Sequence, residues 1–402
     1  MRFIVFFTSF ILHCCVFVIV RWIPKDKNLA IIGSSLGQHF NDNSKYFYLY
    51  FHCIRQEKKH KLFWITANKE VFKMLLRNKL PVKYLYSFSG ILTATRASKA
   101  FLSYQIQDIS PSLLAGAFIV QLWHGTPLKK IGLGGDWKTN HFYGKVKYFF
   151  YSLFPFYYYM RCDEVIASCA YSSKYYQKAF HLSRGGEKNV VLLGQPRNDV
   201  FNCQYHFPLH LFSNEQLLKK YKKKYDTVVA WLPTHRKGQK KTIVDLILQS
   251  RLDFSKLDLF CKTNNILFVI KSHFLESSCL SSQTQGYENI FLYDDIDPYV
   301  LLKYTDILIT DYSSIYFDFL LTKKPVIFAP FDYEEYLSAT DFYLPYDEMI
   351  VGKKCFSWEE IFTEVLFIQN GQDKYIAQRQ DFLKTYSFPS CSAKAIYERY
   401  FA

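Results

Sequence analysis

The chain has 402 residues, of which 50% are hydrophobic and 21% are charged, a composition that excludes an intrinsically disordered protein and suits two domains of ordinary size. The net charge of +15 favours an acidic partner such as a phosphate-bearing substrate or anionic lipid, and no zinc-finger or RNA-binding signature supports nucleic acid. The ten cysteines contain no CxxC pair, which argues against a zinc site and against a disulfide framework.

The first 24 residues form a hydrophobic segment of their own. Residues 3–20 (FIVFFTSFILHCCVFVIV) are almost continuously apolar and of about membrane-spanning length, and Arg21, Trp22, Lys25 and Lys27 follow them. We expect a membrane span or a shallow anchor with the remainder of the chain on the cytoplasmic side. A buried first helix of the domain is the alternative.

From residue 25 to residue 205 the sequence alternates between short apolar runs and helical stretches. We predict strands at residues 28–33, 61–66, 165–169 and 190–194, and the segments at residues 81–86, 94–104 and 113–124 continue the alternation. Helices are expected between them, the first within residues 44–56. Strands that alternate with helices predict a parallel sheet with crossover helices, so this first unit is assigned to the α/β class.

A polar, basic stretch at residues 202–226 marks the domain boundary, and a second alternating unit occupies residues 206–375. Its predicted strands lie at residues 227–233, 266–273, 289–293, 306–312 and 325–330. Residues 376–402 are predicted to form one helix that packs back on the first domain. Two α/β units joined by a linker predict an enzyme that binds its ligand in the cleft between them.

His124 in the stretch QLWHGTPLKK is the first candidate catalytic residue. It follows an apolar run, and Thr126 and Pro127 are typical of a helix start directly after it. At the carboxyl end of a strand and beside a helix amino terminus, a neutral imidazole can accept a proton from an attacking hydroxyl while Lys129 and Lys130 attract phosphate. A histidine that only hydrogen-bonds the turn is the alternative.

Three further strand ends carry polar residues of the same chemical kind. An arginine there can clamp a phosphate, and serines at a helix start can hold one with backbone N–H groups. The candidates are Arg236, which follows Thr234 and His235 in WLPTHR, then Lys271 and His273 in IKSHF, and Thr310, Asp311, Ser313 and Ser314 in LITDYSS. No carboxylate cluster for a metal accompanies them, so this set predicts a site for an anionic, diphosphate-containing ligand without a metal or other cofactor.

The combination of motifs resembles the CDP-glycerol glycerophosphotransferase family, enzymes that prime or polymerise teichoic acids and related capsule polymers. The resemblance is carried by NDNSKYFYLYF, QLWHGTPLKK, NVVLLGQPRNDVF, WLPTHR, KSH and LITDYSSIYFDFLLTKKPVIFAPFDYEEY, which occur in this order over roughly residues 28–354. It implies a GT-B-like pair of Rossmann-type domains facing a cleft. It also implies transfer of a polyol phosphate from a CDP-activated donor to a hydroxyl, with release of CMP.

The resemblance also implies roles for single residues. His124 matches the base, and His273 matches a second essential histidine at the donor phosphates. The donor-side positions are Arg236, Asp311, Ser313 and Ser314, and Glu335 is expected near the nucleotide ribose. Phe274 stands where the family usually has proline, and His235 stands where an aromatic residue is usual.

The expected partners are CDP-glycerol or CDP-ribitol, a lipid-linked or polymer acceptor and the anionic cytoplasmic face of a bacterial membrane. The sequence leaves open which polyol is transferred, and whether the enzyme adds one unit or many. One alternative is a GT-B glycosyltransferase that uses a nucleotide sugar in cell-surface polysaccharide synthesis. Another is a non-catalytic membrane scaffold for polymer assembly.

Overall fold

Two separate parallel sheets organise the chain. The computed structural model describes residues 2–54, 59–132, 149–151, 153–182, 189–234, 236, 242–271 and 277–402. Every pair of adjacent strands that it records within the two large sheets is parallel. The α/β class predicted from the alternation of strands and helices is therefore confirmed.

The first sheet has seven strands in the order β3-β2-β1-β4-β5-β7-β9. Its strands are β1 (Asp26–Gly33), β2 (Lys61–Thr66), β3 (Val82–Tyr84), β4 (Ala97–Leu102), β5 (Phe118–Gln121), β7 (Glu164–Ala167) and β9 (Val190–Leu192). A small two-stranded sheet beside it pairs β6 (Arg161–Cys162) with β8 (His181–Leu182). The order reverses between β1 and β4, which is where ligands bind in sheets of this kind.

The second sheet has six strands in the order β12-β11-β10-β13-β14-β15. They are β10 (Thr227–Leu232), β11 (Ile266–Ile270), β12 (Ile290–Leu292), β13 (Ile307–Thr310), β14 (Val326–Phe328) and β15 (Lys353–Lys354). All six residues of β10 are buried, because helices cover both faces of a parallel sheet and leave no solvent-facing side to the strand.

Helices connect the strands and close the chain. They are α1 (Arg2–Arg21), α2 (Asp42–Leu49), α3 (Lys69–Arg77), α4 (Phe88–Arg96), α5 (Ala170–Ala179), α6 (Asp199–Asn202), α7 (Glu215–Lys224), α8 (Ile243–Ser250), α9 (Phe254–Thr263), α10 (Ser277–Thr284), α11 (Tyr299–Tyr304), α12 (Ile315–Phe319), α13 (Tyr333–Ala339), α14 (Tyr346–Met349), α15 (Trp358–Gln369), α16 (Ile376–Tyr386) and α17 (Ser392–Phe401). A π-helical turn, Tyr50–Ile54, extends α2.

One apolar core is shared by the two sheets. It joins Ile32 and Phe101 of the first sheet to Ala230 and Val269 of the second. Each sheet also has an apolar cluster of its own on its other face. The shared cluster fixes the two sheets against each other, and so fixes the cleft between their carboxyl ends.

The segment after His124 differs from the sequence prediction. No helix begins among residues 126–131. The backbone there binds the second half of the chain instead: Lys129 forms an antiparallel bridge with Phe342, and the N–H of Lys130 donates to the carbonyl oxygen of Asp341 over 2.9 Å. The predicted helix start at Thr126 and Pro127 is therefore wrong.

The carboxyl-terminal segment also differs from its prediction. It forms two helices, α16 and α17, because Ser387 ends α16 in the left-handed region at φ 48° and Pro389 follows it. The ring of Phe401 in α17 lies 5.7 Å from that of Phe101 in β4 and 5.0 Å from that of Phe51. The last helix thus contacts the first sheet.

Helix α1 packs along one side and is exposed along the other. The ring of Phe10 contacts four aromatic rings, those of Phe150, Phe154, Phe156 and Tyr157. The part of the chain that the structure describes contains no helix that is both long and apolar enough to cross a membrane.

Candidate active site

The turn that carries His124 is held in an unusual backbone conformation. Trp123 has φ 56°, in the left-handed region that non-glycine residues seldom occupy. The side-chain amide of Asn43 donates to the carbonyl oxygens of Leu122, at 3.3 Å, and Trp123, at 2.7 Å. The strained turn persists because Asn43 binds both of these carbonyl groups.

The His124 ring is fixed by stacking and by one hydrogen bond. It stacks on Tyr104, with ring centroids 4.3 Å apart and an interplanar angle of 11°, and its Nδ1 lies 3.1 Å from the carbonyl oxygen of Ser103. A carbonyl oxygen only accepts, so in the neutral ring Nδ1 carries the hydrogen and Nε2 keeps its lone pair. Burial lowers the pKa of His124, although the carboxylate of Asp42 opposes the shift. Both effects of the surroundings, tautomer and lowered pKa, suit a general base.

The loop beneath the ring depends on Asp108. One oxygen of this fully buried carboxyl group accepts from the backbone N–H groups of Ser103, Tyr104 and Gln105, and the other accepts from that of Leu36 over 2.9 Å. Burial raises the pKa of Asp108 to about 7, against the lowering effect of these N–H groups. Asp108 therefore positions Ser103 and Tyr104, both of which contact the His124 ring.

A cleft between the two sheets opens in front of this turn. The first half of the chain lines it with residues of the segment 123–131, and the second half contributes Thr234, Tyr312, Ser313 and Ser314. The two sides come very close at Gly125, where a Cβ atom would lie 2.9 Å from Oγ of Ser314. The glycine of the WHG sequence therefore allows the His124 turn to approach the serine pair.

Arg197 connects the His124 turn to the second half of the chain. Its Nη1 donates to the carbonyl oxygen of His124, at 2.8 Å, and to the carboxylate of Asp42, at 2.7 Å. Its Nη2 donates over 2.7 Å to Asp318 in α12, which also accepts from the hydroxyl of Tyr299. The guanidinium is almost completely buried, so these charges are paired in a medium that screens them little.

On the donor side, Asp311 and Arg236 bind each other and other protein groups. Arg236 donates to Asp311 and, through two nitrogens, to Asp332, and its third nitrogen donates to the carbonyl oxygen of Thr234. Asp311 in turn accepts from both the backbone N–H and the hydroxyl of Thr234. This differs from the phosphate clamp expected of Arg236: in the structure the guanidinium binds carboxylates and shapes the wall around Thr234.

The serine pair lies where the sequence places it, directly before α12. Ser314 is the residue that precedes the helix, and Oγ of Ser313 accepts from the N–H of Ile315 over 3.3 Å. Thr310, at the end of β13, is fully buried and donates to the carbonyl oxygen of Leu232, so its hydroxyl joins two strands.

Lys271 and Glu335, two other predicted donor-side residues, do not line this cleft. Lys271 follows β11, half-buried, where burial lowers its pKa and the carboxylate of Asp295 opposes the shift. Glu335 is exposed on the first turn of α13. His273 lies outside the described residues, and so does His235, the residue directly before Arg236.

Within the described ranges, no group of three or more His, Cys, Asp or Glu side chains lies close enough together to hold a metal ion.

The sequence prediction missed Asn43, Tyr104, Asp108 and Arg197. Asn43 and Arg197 fall inside two stretches that carry the family resemblance, NDNSKYFYLYF and NVVLLGQPRNDVF, so those motifs were a usable signal for them. Tyr104 and Asp108 lie in a loop without any motif. Their relation to His124 follows only from the pairing of β4 with β5.

Sequence comparisons with known proteins point to one enzyme family. The family model for CDP-glycerol:poly(glycerophosphate) glycerophosphotransferase matches residues 15–392. A teichoic acid glycerol-phosphate transferase of Staphylococcus aureus is 25% identical over 374 residues, which cover 90% of this chain and 89% of that protein. A teichoic acid poly(glycerol phosphate) polymerase of Bacillus spizizenii is 26% identical over 386 residues, covering 92% and 91%.

The fold is also found among solved structures. A structure of the wall teichoic acid polymerase TagF superposes with a TM-score of 0.70 at 21% identity, over 94% of this chain and 89% of that one. At this identity the likeness concerns the fold alone, two Rossmann-type domains of the GT-B kind. The family model covers far more than half of the sequence, and the chain therefore belongs to the CDP-glycerol:poly(glycerophosphate) glycerophosphotransferase family.

Proposed function

We propose that the protein transfers a polyol phosphate from a CDP-activated donor to a hydroxyl group of a teichoic-acid-like acceptor, with His124 as the general base. The observation that carries the base assignment is the hydrogen bond from Nδ1 of His124 to the carbonyl oxygen of Ser103, at the edge of a cleft lined from both halves of the chain. This bond leaves Nε2 as the proton acceptor, which is what the attacking hydroxyl requires.

The reaction proceeds in one displacement. Nε2 of His124 takes the proton of the acceptor hydroxyl while the hydroxyl oxygen attacks the β-phosphorus of the donor. The bond between that phosphorus and the oxygen bridging to the α-phosphate breaks, and CMP leaves with the electron pair. Catalysis then depends on positioning and on electrostatic stabilisation of the phosphates, since such transfers need little covalent help.

Ser313, Ser314 and Thr234 form the donor side of this mechanism. All three line the cleft opposite His124. Asp311 fixes Thr234, and Arg236 fixes Asp311, so we assign these two residues to the shape of the donor site. His273 and Glu335 stay assigned to the donor side on the family resemblance, and Thr310 and Lys271 on their positions at the strand ends.

The division into domains follows the two sheets. We propose a first domain at residues 25–205 that binds the acceptor and a second at residues 206–375 that binds the donor. The first sheet uses strands between Asp26 and Leu192, and the second uses strands between Thr227 and Lys354, which supports a boundary near residue 205. Residues 376–402 are assigned to the carboxyl-terminal packing segment and residues 1–24 to the membrane segment.

We assign the exposed side of α1 to the anionic cytoplasmic face of a bacterial membrane. Leu12 and Ile19 are each 64% exposed, and their spacing places them on one side of the helix, opposite Phe10. Trp22, directly after the helix, is 81% exposed. The exposed cations Arg21 and Lys27 follow. An apolar stripe that ends in tryptophan and basic residues suits a surface of anionic lipid, and the net charge of +15 adds to the attraction.

Co-sedimentation with phosphatidylglycerol vesicles tests the membrane assignment. The paired replacement of Leu12→Glu and Ile19→Glu is expected to abolish sedimentation. Leu76→Glu, at an exposed leucine of α3, is the matched control and is expected to leave it unchanged. Equal binding by both variants would place the membrane contact elsewhere.

The reaction itself is tested with a panel of donors. The protein is incubated with CDP-glycerol, CDP-ribitol and several nucleotide sugars, together with a glycerol-phosphate primer, and the products are identified by mass spectrometry. CMP release with growth of the primer by one or more polyol phosphates supports the proposal and identifies the polyol. Release of a nucleoside diphosphate would instead show a GT-B glycosyltransferase, and no turnover or binding with any donor would favour a scaffold.

A further inference from the structure

The cleft in front of His124 carries one positively charged side chain on its described wall. The described lining consists of residues 123–129, Ile131, Thr234, Tyr312, Ser313 and Ser314, and among these only Lys129 is a lysine, arginine, aspartate or glutamate. Arg236, the cation expected there from the sequence, binds Asp311 and Asp332. A cleft for a doubly charged diphosphate therefore has Lys129 as the cation on this wall.

Lys129 also belongs to the segment at residues 128–131, whose backbone joins the two domains. The backbone of Lys129 pairs with Phe342. Directly after it, the N–H of Lys130 donates to the carbonyl oxygen of Asp341 and the N–H of Ile131 donates to the hydroxyl of Tyr343 over 3.2 Å. The backbone at Lys129 is thus fixed to the donor domain although it comes from the acceptor domain. Its side chain is held at the boundary where donor and acceptor must meet.

The ammonium group has a neutral partner in the protein. Nζ of Lys129 donates to the hydroxyl of Tyr336, whose ring centroid lies 5.0 Å away. A phenol accepts a hydrogen bond without neutralising the charge, so two further N–H donors of the ammonium are suited to an oxyanion. Burial lowers the pKa of Lys129 to about 8, with Asp311 opposing the shift and Arg236 adding to it.

We propose that Lys129 binds a phosphate group of the substrate in this cleft and is a cross-domain substrate-binding residue of the transfer reaction. The inference rests on the proposed function and makes it more specific. The sequence indicates only that Lys129 and Lys130 attract phosphate, whereas in the structure Lys129, and not Lys130, lines the cleft. A charge-assisted hydrogen bond to a phosphate oxygen is stronger than a neutral one, so binding a phosphate favours the charged form of this lysine.

Two anionic groups of the substrates could accept hydrogen bonds from Lys129. One is the diphosphate of the donor, and the other is the phosphodiester at the end of the acceptor. The experiment therefore has two arms. Calorimetry measures the Kd for CDP-glycerol or CDP-ribitol, whichever the wild-type protein binds. Steady-state assays of CMP release measure the KM for a synthetic glycerol-phosphate acceptor.

Three variants and one control distinguish binding of substrate by Lys129 from a purely structural contact between Lys129 and Tyr336. Lys129→Met is expected to raise the donor Kd or the acceptor KM by about tenfold or more, and Lys129→Arg to stay within a few-fold of wild type because the charge is kept. Tyr336→Phe keeps the ring stacked on Tyr312, 3.8 Å away, and is expected to retain affinity. Lys174→Met removes an exposed cation on α5 and is expected to change neither arm.

A pH series adds a second readout. The donor Kd or the acceptor KM of the wild type, whichever Lys129→Met changes, is expected to rise as the pH passes above about 8, where free Lys129 loses its proton. Lys129→Arg is expected to show no such rise. The other titratable or charged groups around Nζ are Asp311, Arg236, Tyr336 and Tyr312. Burial raises the pKa values of both tyrosines, so they keep their protons in this pH range. His124 titrates on the acid side.

The inference is overturned if Lys129→Met leaves both arms unchanged. It is equally overturned if Tyr336→Phe weakens binding as much as Lys129→Met, since the lysine would then act only as a tie between domains. A wild-type protein that binds neither CDP-polyol would instead contradict the proposed function, which keeps the two failures distinct.

Discussion

The ring nitrogen Nδ1 of His124 lies 3.1 Å from the carbonyl oxygen of Ser103, the last residue before Tyr104, whose ring stacks on the imidazole. One short loop thus selects the tautomer of the histidine and sets the plane of its ring. The loop is built by the pairing of β4 with β5, so the catalytic geometry follows from the register of two strands.

The first prediction concerns the pH dependence of transfer. Only the neutral form of His124 can accept the proton, and burial lowers its pKa, so this form persists below the ordinary value of 6.5. The acid limb of kcat/KM, measured as CMP release, is therefore expected to fall below pH 6.5. His124→Ala is expected to abolish transfer while retaining the calorimetric Kd for the CDP-polyol. An acid limb above the ordinary value, or near-normal turnover by His124→Ala, would contradict the base assignment.

The second prediction concerns Asp108. Replacement by asparagine keeps the size of the side chain but turns one accepting oxygen into a donor that faces backbone N–H groups. We expect Asp108→Asn to lower the free energy of unfolding by about 1–3 kcal/mol, the range for an unsatisfied buried group, and to lower kcat because the loop under His124 shifts.

Asp253→Asn is the control for that measurement. Asp253 is exposed and accepts from the N–H groups of Ser255 and Lys256 through a single oxygen, which the amide oxygen of asparagine can replace. Denaturant unfolding is expected to show little change for this variant. Equal stability losses at the two positions would argue against a special role for Asp108.

The strands were predictable because burial on both faces leaves a continuous apolar run in the sequence. The segment KLFWIT matches β2 at both ends, and TVVAWLP begins where β10 begins. The strand-end positions of His124, Asp311 and Ser314 followed from these runs. This part of the site is encoded locally.

The rest depends on contacts between distant parts of the chain. Thr126 and Pro127 have the local signals of a helix start, but the carbonyl oxygen of Leu128 accepts from the N–H of Tyr343, and no helix begins at these residues. The guanidinium of Arg236 donates to the carboxylate of Asp332, which lies 96 residues away in sequence. No local sequence pattern could therefore show that this guanidinium is already bound by the protein.

A third prediction concerns Arg197, whose guanidinium joins Asp42, the carbonyl group of His124 and Asp318. Removing it leaves two buried carboxylates without their cation. Arg197→Ala is therefore expected to lower the free energy of unfolding by about 3–5 kcal/mol. Arg399→Ala breaks the more exposed pair with Glu164 and is expected to cost less than about 1 kcal/mol.

Chemical denaturation of both arginine variants provides the comparison, and the kinetic constants of Arg197→Lys complete it. One ammonium cannot reach the same three acceptors, so we expect Arg197→Lys to fold but to show a lower kcat with little change in donor Kd. A stability loss in Arg197→Ala no larger than that in Arg399→Ala would show that the connection between the domains does not depend on this residue.

The last prediction tests how closely the two sides of the cleft approach at Gly125. A Cβ atom at this position would lie 2.9 Å from Oγ of Ser314 and 3.9 Å from its Cβ, so the clash of Gly125→Ala is with the hydroxyl oxygen alone. We expect this substitution to lower the free energy of unfolding by about 1–3 kcal/mol, the range for overpacking a tight contact. In a Ser314→Ala background the hydroxyl is gone and the same substitution should be nearly neutral. Thermal unfolding of the wild type, both single variants and the double variant measures this coupling. Additive losses would mean that the alanine is accommodated by opening the cleft, and the approach of the WHG turn to the serine pair would then not be a fixed feature of the site.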